Sequence, residues 1–326
     1  MLVKREDGKG VKMNSKLFSA GLILCLGIGI LGAKELKVLM VGNSFSDSVG
    51  IYLPKIVKAS GNKLELTGAF IGSCSLEQHS NNLIKAEKDP SCRPYRITVW
   101  NSDAPGKRDV RKGNVNELLE KNRYDVITLQ QGGSRAPDRK TFHPHLERIL
   151  EYIRKKQPQA EIVFQQTWSY RIDDTRFKPH PNPKFDFDQT GMYERVRDVY
   201  RALAAEHKMR VIPVGTAVQC FRKNTPIKFE PPKETPVYPA IPPWKGDAVG
   251  YISWKKNKKT GKTELNSDFI HLNSFGKYIQ ACVWYSFLFG EPVSKIAWKP
   301  KDFSKDECAL LRKSAAEAME QYQQAK

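Results

Sequence analysis

Five apolar runs of strand length punctuate the chain, at residues 36–41 (LKVLMV), 63–71 (KLELTGAFI), 124–130 (YDVITLQ), 160–166 (AEIVFQQ) and 209–214 (MRVIPV). Helix-like stretches separate them. In HLERILEYIRKKQP and MYERVRDVYRALAAEHK, apolar residues recur three and four apart, the spacing of an amphipathic helix. Near-continuous apolar strands alternating with such helices predict a parallel sheet covered on both faces. The expected fold class is α/β, a three-layer α/β/α sandwich around a five-stranded parallel sheet in the order 2-1-3-4-5.

Two segments break the pattern. Residues 101–113 are polar and basic, and residues 225–244 hold seven prolines, which suit neither a helix nor a central strand. The second leads into a hairpin-like segment that ends at 266. Both read as surface insertions near one end of the sheet, placed to wall a substrate cleft. One domain is expected over 34–300, followed by a closing helix within 301–326.

The N-terminus has a different pattern. A lysine precedes an apolar stretch from Leu17 to Leu31, and Ala33 follows. That stretch is short for a membrane span and has the layout of a secretory signal peptide over residues 1–33, with an uncleaved anchor as the alternative and Met13 as a possible start. The expected location is outside a bacterial cytoplasm, either secreted or in the periplasm or cell envelope, with no stable membrane insertion after cleavage.

Charge and cysteine usage narrow the partners. The formal charge of the 326 residues is +19, and it remains +16 without residues 1–33. The basic residues are dispersed apart from WKKNKKTGK at 254–262, which reads as a hairpin tip. Neither a contiguous basic patch nor a reading module for nucleic acid is visible, so an anionic polymer such as an acidic glycan is the better use of that charge. Five cysteines remain beyond the leader (Cys74, Cys92, Cys220, Cys282 and Cys308), an odd number that leaves at least one thiol unpaired or paired between chains. No CxxC pair or short Cys/His spacing marks a structural zinc.

Candidate chemistry begins where the first apolar run stops, at GNSFS (42–46). A parallel sheet binds its ligands at the carboxyl ends of its strands, and Ser44 sits at such an end. In the order 2-1-3-4-5 the loops IGSCSLEQH and QQGGSR flank it. Gly72 lets a backbone N–H approach a substrate oxygen, and Gln130 or Gln131 offers a side-chain N–H, so that with the N–H of Ser44 an oxyanion would find three donors. Late in the chain, Asp268 and His271 stand three apart before a long helical pattern. One carboxylate can then hold the imidazole of the next turn, and His271 can activate Ser44.

GNSFS, the glycine of the second loop and DFIHLNSFGKY together resemble the SGNH (GDSL-type) hydrolase superfamily. GSCSLEQH, TLQQGGS and QQTWSY are most similar to a bacterial branch catalogued as a domain of unknown function. The resemblance covers about residues 36–290. It implies a flavodoxin-like sandwich and ester hydrolysis without metal or cofactor, with Ser44 as nucleophile, His271 as base, Asp268 as its partner and Gly72 as oxyanion donor. The third block departs from the Gly-x-Asn-Asp of the superfamily. Gln131 is the expected replacement for its amide, with Gln130 or Ser134 as substitutes. The expected substrate is an O-acyl or O-acetyl ester of a carbohydrate, either a small molecule or a polysaccharide, with anionic character. Trp168 is a candidate for stacking on a sugar, and Arg135 for contacting an acidic group. A silent carbohydrate-binding protein and an acyltransferase using the same triad are the alternatives. His79 and His207 read as structural or surface residues, and His143, His145 and His180 show no ligand spacing.

Overall fold

The computed structural model describes residues 33–234, 236–240 and 246–324. Residues 1–32, nearly all of the segment read as a signal peptide or anchor over 1–33, and residues 241–245 of the proline-rich insertion lie outside the described residues. Residue order alternates strand and helix: β1 (Glu35–Gly42), α1 (Ser44–Asp47), α2 (Leu53–Ala59), β2 (Lys63–Phe70), α3 (Leu76–Lys88), β3 (Tyr95–Asn101), β4 (Arg108–Gly113), α4 (Val115–Lys121) and β5 (Val126–Leu129). Then follow α5 (His145–Lys156), β6 (Glu161–Gln165), α6 (Gln189–His207), β7 (Arg210–Ile212), α7 (Val214–Asn224), β8 (Val249–Lys256), β9 (Thr263–Leu272), α8 (Ser274–Phe289) and α9 (Lys305–Gln324).

The sheet order is β4-β3-β2-β1-β5-β6-β7. Its five parallel strands are the five apolar runs, in the expected order. They are apolar because both faces are covered: Val38, Leu39 and Met40 of β1 and Ile127 and Leu129 of β5 are fully buried. Helices α3, α4 and α5 pack together on one face, and α2, α7, α8 and α9 pack together on the other.

The sheet has seven strands where five were expected. β3 and β4 add an antiparallel hairpin at the β2 edge. β4 lies within the segment read as a polar insertion, because its sequence RDVRKG contributes only backbone to the ladder and five of its six residues are exposed. Charged side chains on such an edge also discourage pairing with other chains. A separate antiparallel pair, β8–β9, is the expected hairpin, but it runs on to Leu272. None of the five described cysteines forms a disulfide, and four of them are buried. Among the described residues no helix is long and apolar enough to cross a membrane.

Candidate active site

Ser44 is the first residue of α1, directly after the turn that ends β1. Asn43 makes that turn. Its Oδ1 accepts from the N–H of Phe45 at 3.0 Å, capping the helix, and its Nδ2 donates to the carbonyl of Cys74 at 3.0 Å, tying down the loop after β2. The N–H of Ser44 opens the helix, so the helix itself supplies it no acceptor.

Below the turn lies a chain of buried amides. Gln130 Nε2 donates to Asn43 Oδ1 at 2.7 Å, and Gln165 Nε2 donates to Gln130 Oε1 and to the carbonyl of Phe45. Gln280 Nε2 donates to the same carbonyl at 2.8 Å and to Gln165 Oε1 at 3.0 Å, where Trp284 Nε1 also donates. Each amide is buried and bonded at both ends, which fixes the Ser44 turn to three separate elements.

The imidazole arrives from the hairpin. His271 Nε2 lies 2.8 Å from Ser44 Oγ, and His271 Nδ1 lies 2.7 Å from Asp268 Oδ2. The other carboxylate oxygen, Asp268 Oδ1, accepts the N–H of Ile270 at 2.9 Å and that of His271 at 2.8 Å. Burial alone would raise the Asp268 carboxyl. The hydrogen bonds from the His271 ring and from these two N–H groups outweigh it and hold the pKa at about 2. An ionised carboxylate on Nδ1 assigns the proton to that nitrogen and leaves Nε2 as an acceptor facing the hydroxyl.

The three-residue spacing works through a bulge rather than a helical turn. Val249 pairs with Leu272 and Tyr251 with Asp268, so Gly250 alone opposes residues 269–271. Such a bulge bends a strand and re-aims its side chains. Gly250 has φ +82°, and a Cβ there would stand 2.6 Å from the carbonyl of Asp268 and 2.7 Å from Arg171 Nη1. Arg171 supports the bulge from below. Its N–H donates to the carbonyl of Phe269 at 2.8 Å, and its guanidinium pairs with Asp173 and lies over the rings of Phe229 and Phe269.

Trp168 is not a sugar platform. It is 1% exposed, stacks on Phe45 at 4.3 Å and donates from Nε1 to the carbonyl of Ile270 at 2.7 Å. It braces the segment between Asp268 and His271 from inside. Phe45 in turn sets its ring against His271 at 5.9 Å, edge to face.

A pocket of about 150 Å³ opens beside Ser44 and His271, walled by Ser73, Ser75, the segment 132–135, Tyr170 and Arg176. Gly72 is exposed and stands outside this lining, which runs through Ser73 and Ser75. Gln131 does not face the pocket either. Its Nε2 donates to the carbonyl of Thr141 at 2.8 Å, and its Oε1 accepts the N–H groups of Leu76 and Gly132. Gln130 is consumed by the amide chain. Both expected side-chain donors are therefore spent on holding loops, whereas Ser134 does line the pocket.

The backbone of that third loop is arranged differently. The carbonyl of Gly132 accepts from the N–H groups of Arg135 and Ala136, forming one helical turn. The N–H groups of Gly133 and Ser134 are its leading donors, with no acceptor inside the turn. A Cβ on Gly133 would meet Tyr170 Oη at 2.7 Å and the Phe45 ring at 2.9 Å, so only glycine lets this backbone lie against the pocket floor.

Arg135 lines the pocket and pairs with Glu77 at 2.7 Å. Arg176 also lines it and escaped the sequence reading. It is held by Asp174, through Nε at 2.8 Å and through Nη2, and packs over the ring of Tyr170 at 4.3 Å. The only signal was the clustering of Arg and Asp in RIDDTR after the fourth apolar run. His79 is buried at 0% exposure with Nδ1 on Tyr95 Oη at 2.9 Å, and burial pulls its pKa down to about 3, so it is a core residue.

Residues 37–231 match a family model described as Domain of unknown function (DUF4886). A DUF4886 family protein from Bacteroides uniformis is 23% identical and aligns over 87% of this chain and 95% of its own, with a TM-score of 0.68. A member of the lipolytic protein G-D-S-L family from Veillonella parvula is a more distant likeness, 14% identical over 79% of this chain and 100% of its own, with a TM-score of 0.40. No curated protein matches the chain. With well over half of its residues inside the family model and the same fold as the Bacteroides protein, the chain belongs to the DUF4886 family.

Proposed function

We propose that the protein is a serine ester hydrolase of the SGNH type. The observation that carries this reading is the line Ser44 Oγ–His271 Nε2–Asp268, with contacts of 2.8 and 2.7 Å. A free serine is a poor nucleophile, and an adjacent base oriented by a carboxylate is what activates it. In the proposed reaction His271 takes the hydroxyl proton as Ser44 attacks the ester carbonyl. The tetrahedral oxyanion collects N–H donors from Ser44 and from the turn at Gly133 and Ser134. His271 then returns the proton to the leaving alcohol, and a water activated by the same nitrogen releases the acyl group from Ser44.

The proposed substrate is an O-acylated, short-chain ester of an anionic carbohydrate met outside the cytoplasm. A pocket of about 150 Å³ suits an acetyl-sized group. Its lining holds two guanidinium groups, Arg135 and Arg176, which Glu77 and Asp174 pair from outside the lining. Acetate release from p-nitrophenyl acetate and from acetylated uronate oligosaccharides tests the reading. The folded protein should act on both, and Ser44→Ala should lose activity by about a thousandfold or more. Inactivity on every short acyl ester would end the proposal.

One observation favours a second reading. Gln130 and Gln131, the two amides expected to face an oxyanion, are both engaged elsewhere, which suits a protein that binds acylated sugars without turnover. A fluorophosphonate probe separates the two, since a hydrolase is labelled at Ser44 and a silent binder keeps its glycan affinity unlabelled.

A further inference from the structure

Away from the pocket, the end of α6 meets the start of α5 in a cluster of unusual composition. Glu147 of α5 and Glu206 and His207 of α6 each bring one ligand atom within 4.8 Å of the other two. His207 Nε2 is 3.6 Å from Glu147 Oε1 and 3.7 Å from Glu206 Oε1. Those separations are too long for hydrogen bonds. They are close to the edge of about 3.4 Å that ligands at about 2.0–2.2 Å from a tetrahedral ion must span.

The partners of these atoms point the same way. His207 Nε2 and Glu147 Oε2 are buried without a hydrogen-bond partner, an arrangement that costs free energy unless something satisfies them. Glu147 Oε1 receives His143 Nδ1 at 2.6 Å, so a second imidazole orients this carboxylate from outside. Glu206 gives its other oxygen, Oε2, to Arg139 and keeps Oε1 facing His207. Glu206 thus keeps Oε1 for His207 while Arg139 fixes its other oxygen, and His143 holds Glu147 at Oε1, leaving Glu147 Oε2 without a partner.

We propose that Glu147, Glu206 and His207 form a binding site for a zinc-class divalent cation, with His143 and Arg139 as orienting residues and water completing the coordination. One imidazole and two carboxylates suit a borderline ion such as Zn²⁺, whereas Ca²⁺ takes an all-oxygen shell. The ion would staple the last turn of α6 to the first turn of α5. No short ligand spacing announces the site, because its residues lie 59 and 60 positions apart and meet only through packing.

Titration of the chelator-treated full chain with ZnCl2, followed by calorimetry and thermal unfolding, tests the site. One saturable Zn²⁺ should bind and raise the unfolding temperature, Co²⁺ should show the visible spectrum of a tetrahedral centre, and Ca²⁺ should do neither. His207→Gln and the more exposed Glu206→Gln should each weaken Zn²⁺ by at least about tenfold, the scale of losing even an orienting partner. The Ser44→Ala protein should bind Zn²⁺ unchanged, which keeps this test independent of esterase activity. Absence of saturable binding, or undiminished binding in both ligand variants, overturns the proposal.

Discussion

At the scale of single residues, the most informative group is Asp268. Its folded pKa of about 2 lies below the ordinary carboxylate value, so ionised Asp268 favours the folded chain. That contribution is complete above about pH 4, where the unfolded carboxyl is also ionised, and is lost as pH falls towards 2. Asp268→Asn should therefore lower the unfolding temperature at neutral pH and leave a smaller gap from the parent at pH 2–3, as pH-dependent thermal unfolding would show. The same variant should cut kcat by orders of magnitude by favouring the wrong imidazole tautomer. The spatial line of Ser44, His271 and Asp268 was legible because each of the three residues sits beside a distinctive local pattern. Gln131 and Trp168 were misread because a sequence shows which loop carries a side chain but not which way it faces. Arg176 went unseen because its loop has no periodicity to frame it.

The hairpin decides matters at the scale of elements. The five parallel strands were readable since burial on both faces makes them continuously apolar. β4 was not, as an exposed edge strand held by backbone alone leaves no hydrophobic signature. The bulge in β9 was equally invisible, although Gly250 marks it in retrospect. Gly250→Ala would force a side chain into a φ of +82° and against the carbonyl of Asp268. We expect a cost of about 1–3 kcal/mol in stability and a larger proportional loss of kcat, because the strain falls on the backbone of the residue whose carboxylate holds His271. Trp168→Phe is a second check, since it deletes the bond to the Ile270 carbonyl and leaves a cavity where the larger indole packed on Phe45. Stability should fall by about 2–3 kcal/mol, measurable by urea unfolding. If Gly250→Ala unfolds normally and retains full turnover, the bulge does not position the base.

Across the whole molecule, the surplus of positive charge should act on encounter rather than on chemistry. Exposed charges attract an oppositely charged polymer over about 8–10 Å at physiological ionic strength and are screened as salt rises. For an acetylated uronate polymer, kcat/KM should fall severalfold between 20 and 500 mM salt (about 0.02 to 0.5 M), while hydrolysis of neutral p-nitrophenyl acetate should barely change. Equal salt sensitivity for both substrates would remove the charge from any account of specificity.

The platform beneath Ser44 is built from carboxamides, which neither gain nor lose protons in the range where proteins stay folded. Acid or base that reaches the site therefore finds nothing to titrate in this layer, and the hydroxyl keeps its seat. An aspartate at position 43 would forfeit this indifference. It would set an acceptor against the Cys74 carbonyl, where Asn43 now donates, and couple the seat of the nucleophile to the acidity of its surroundings.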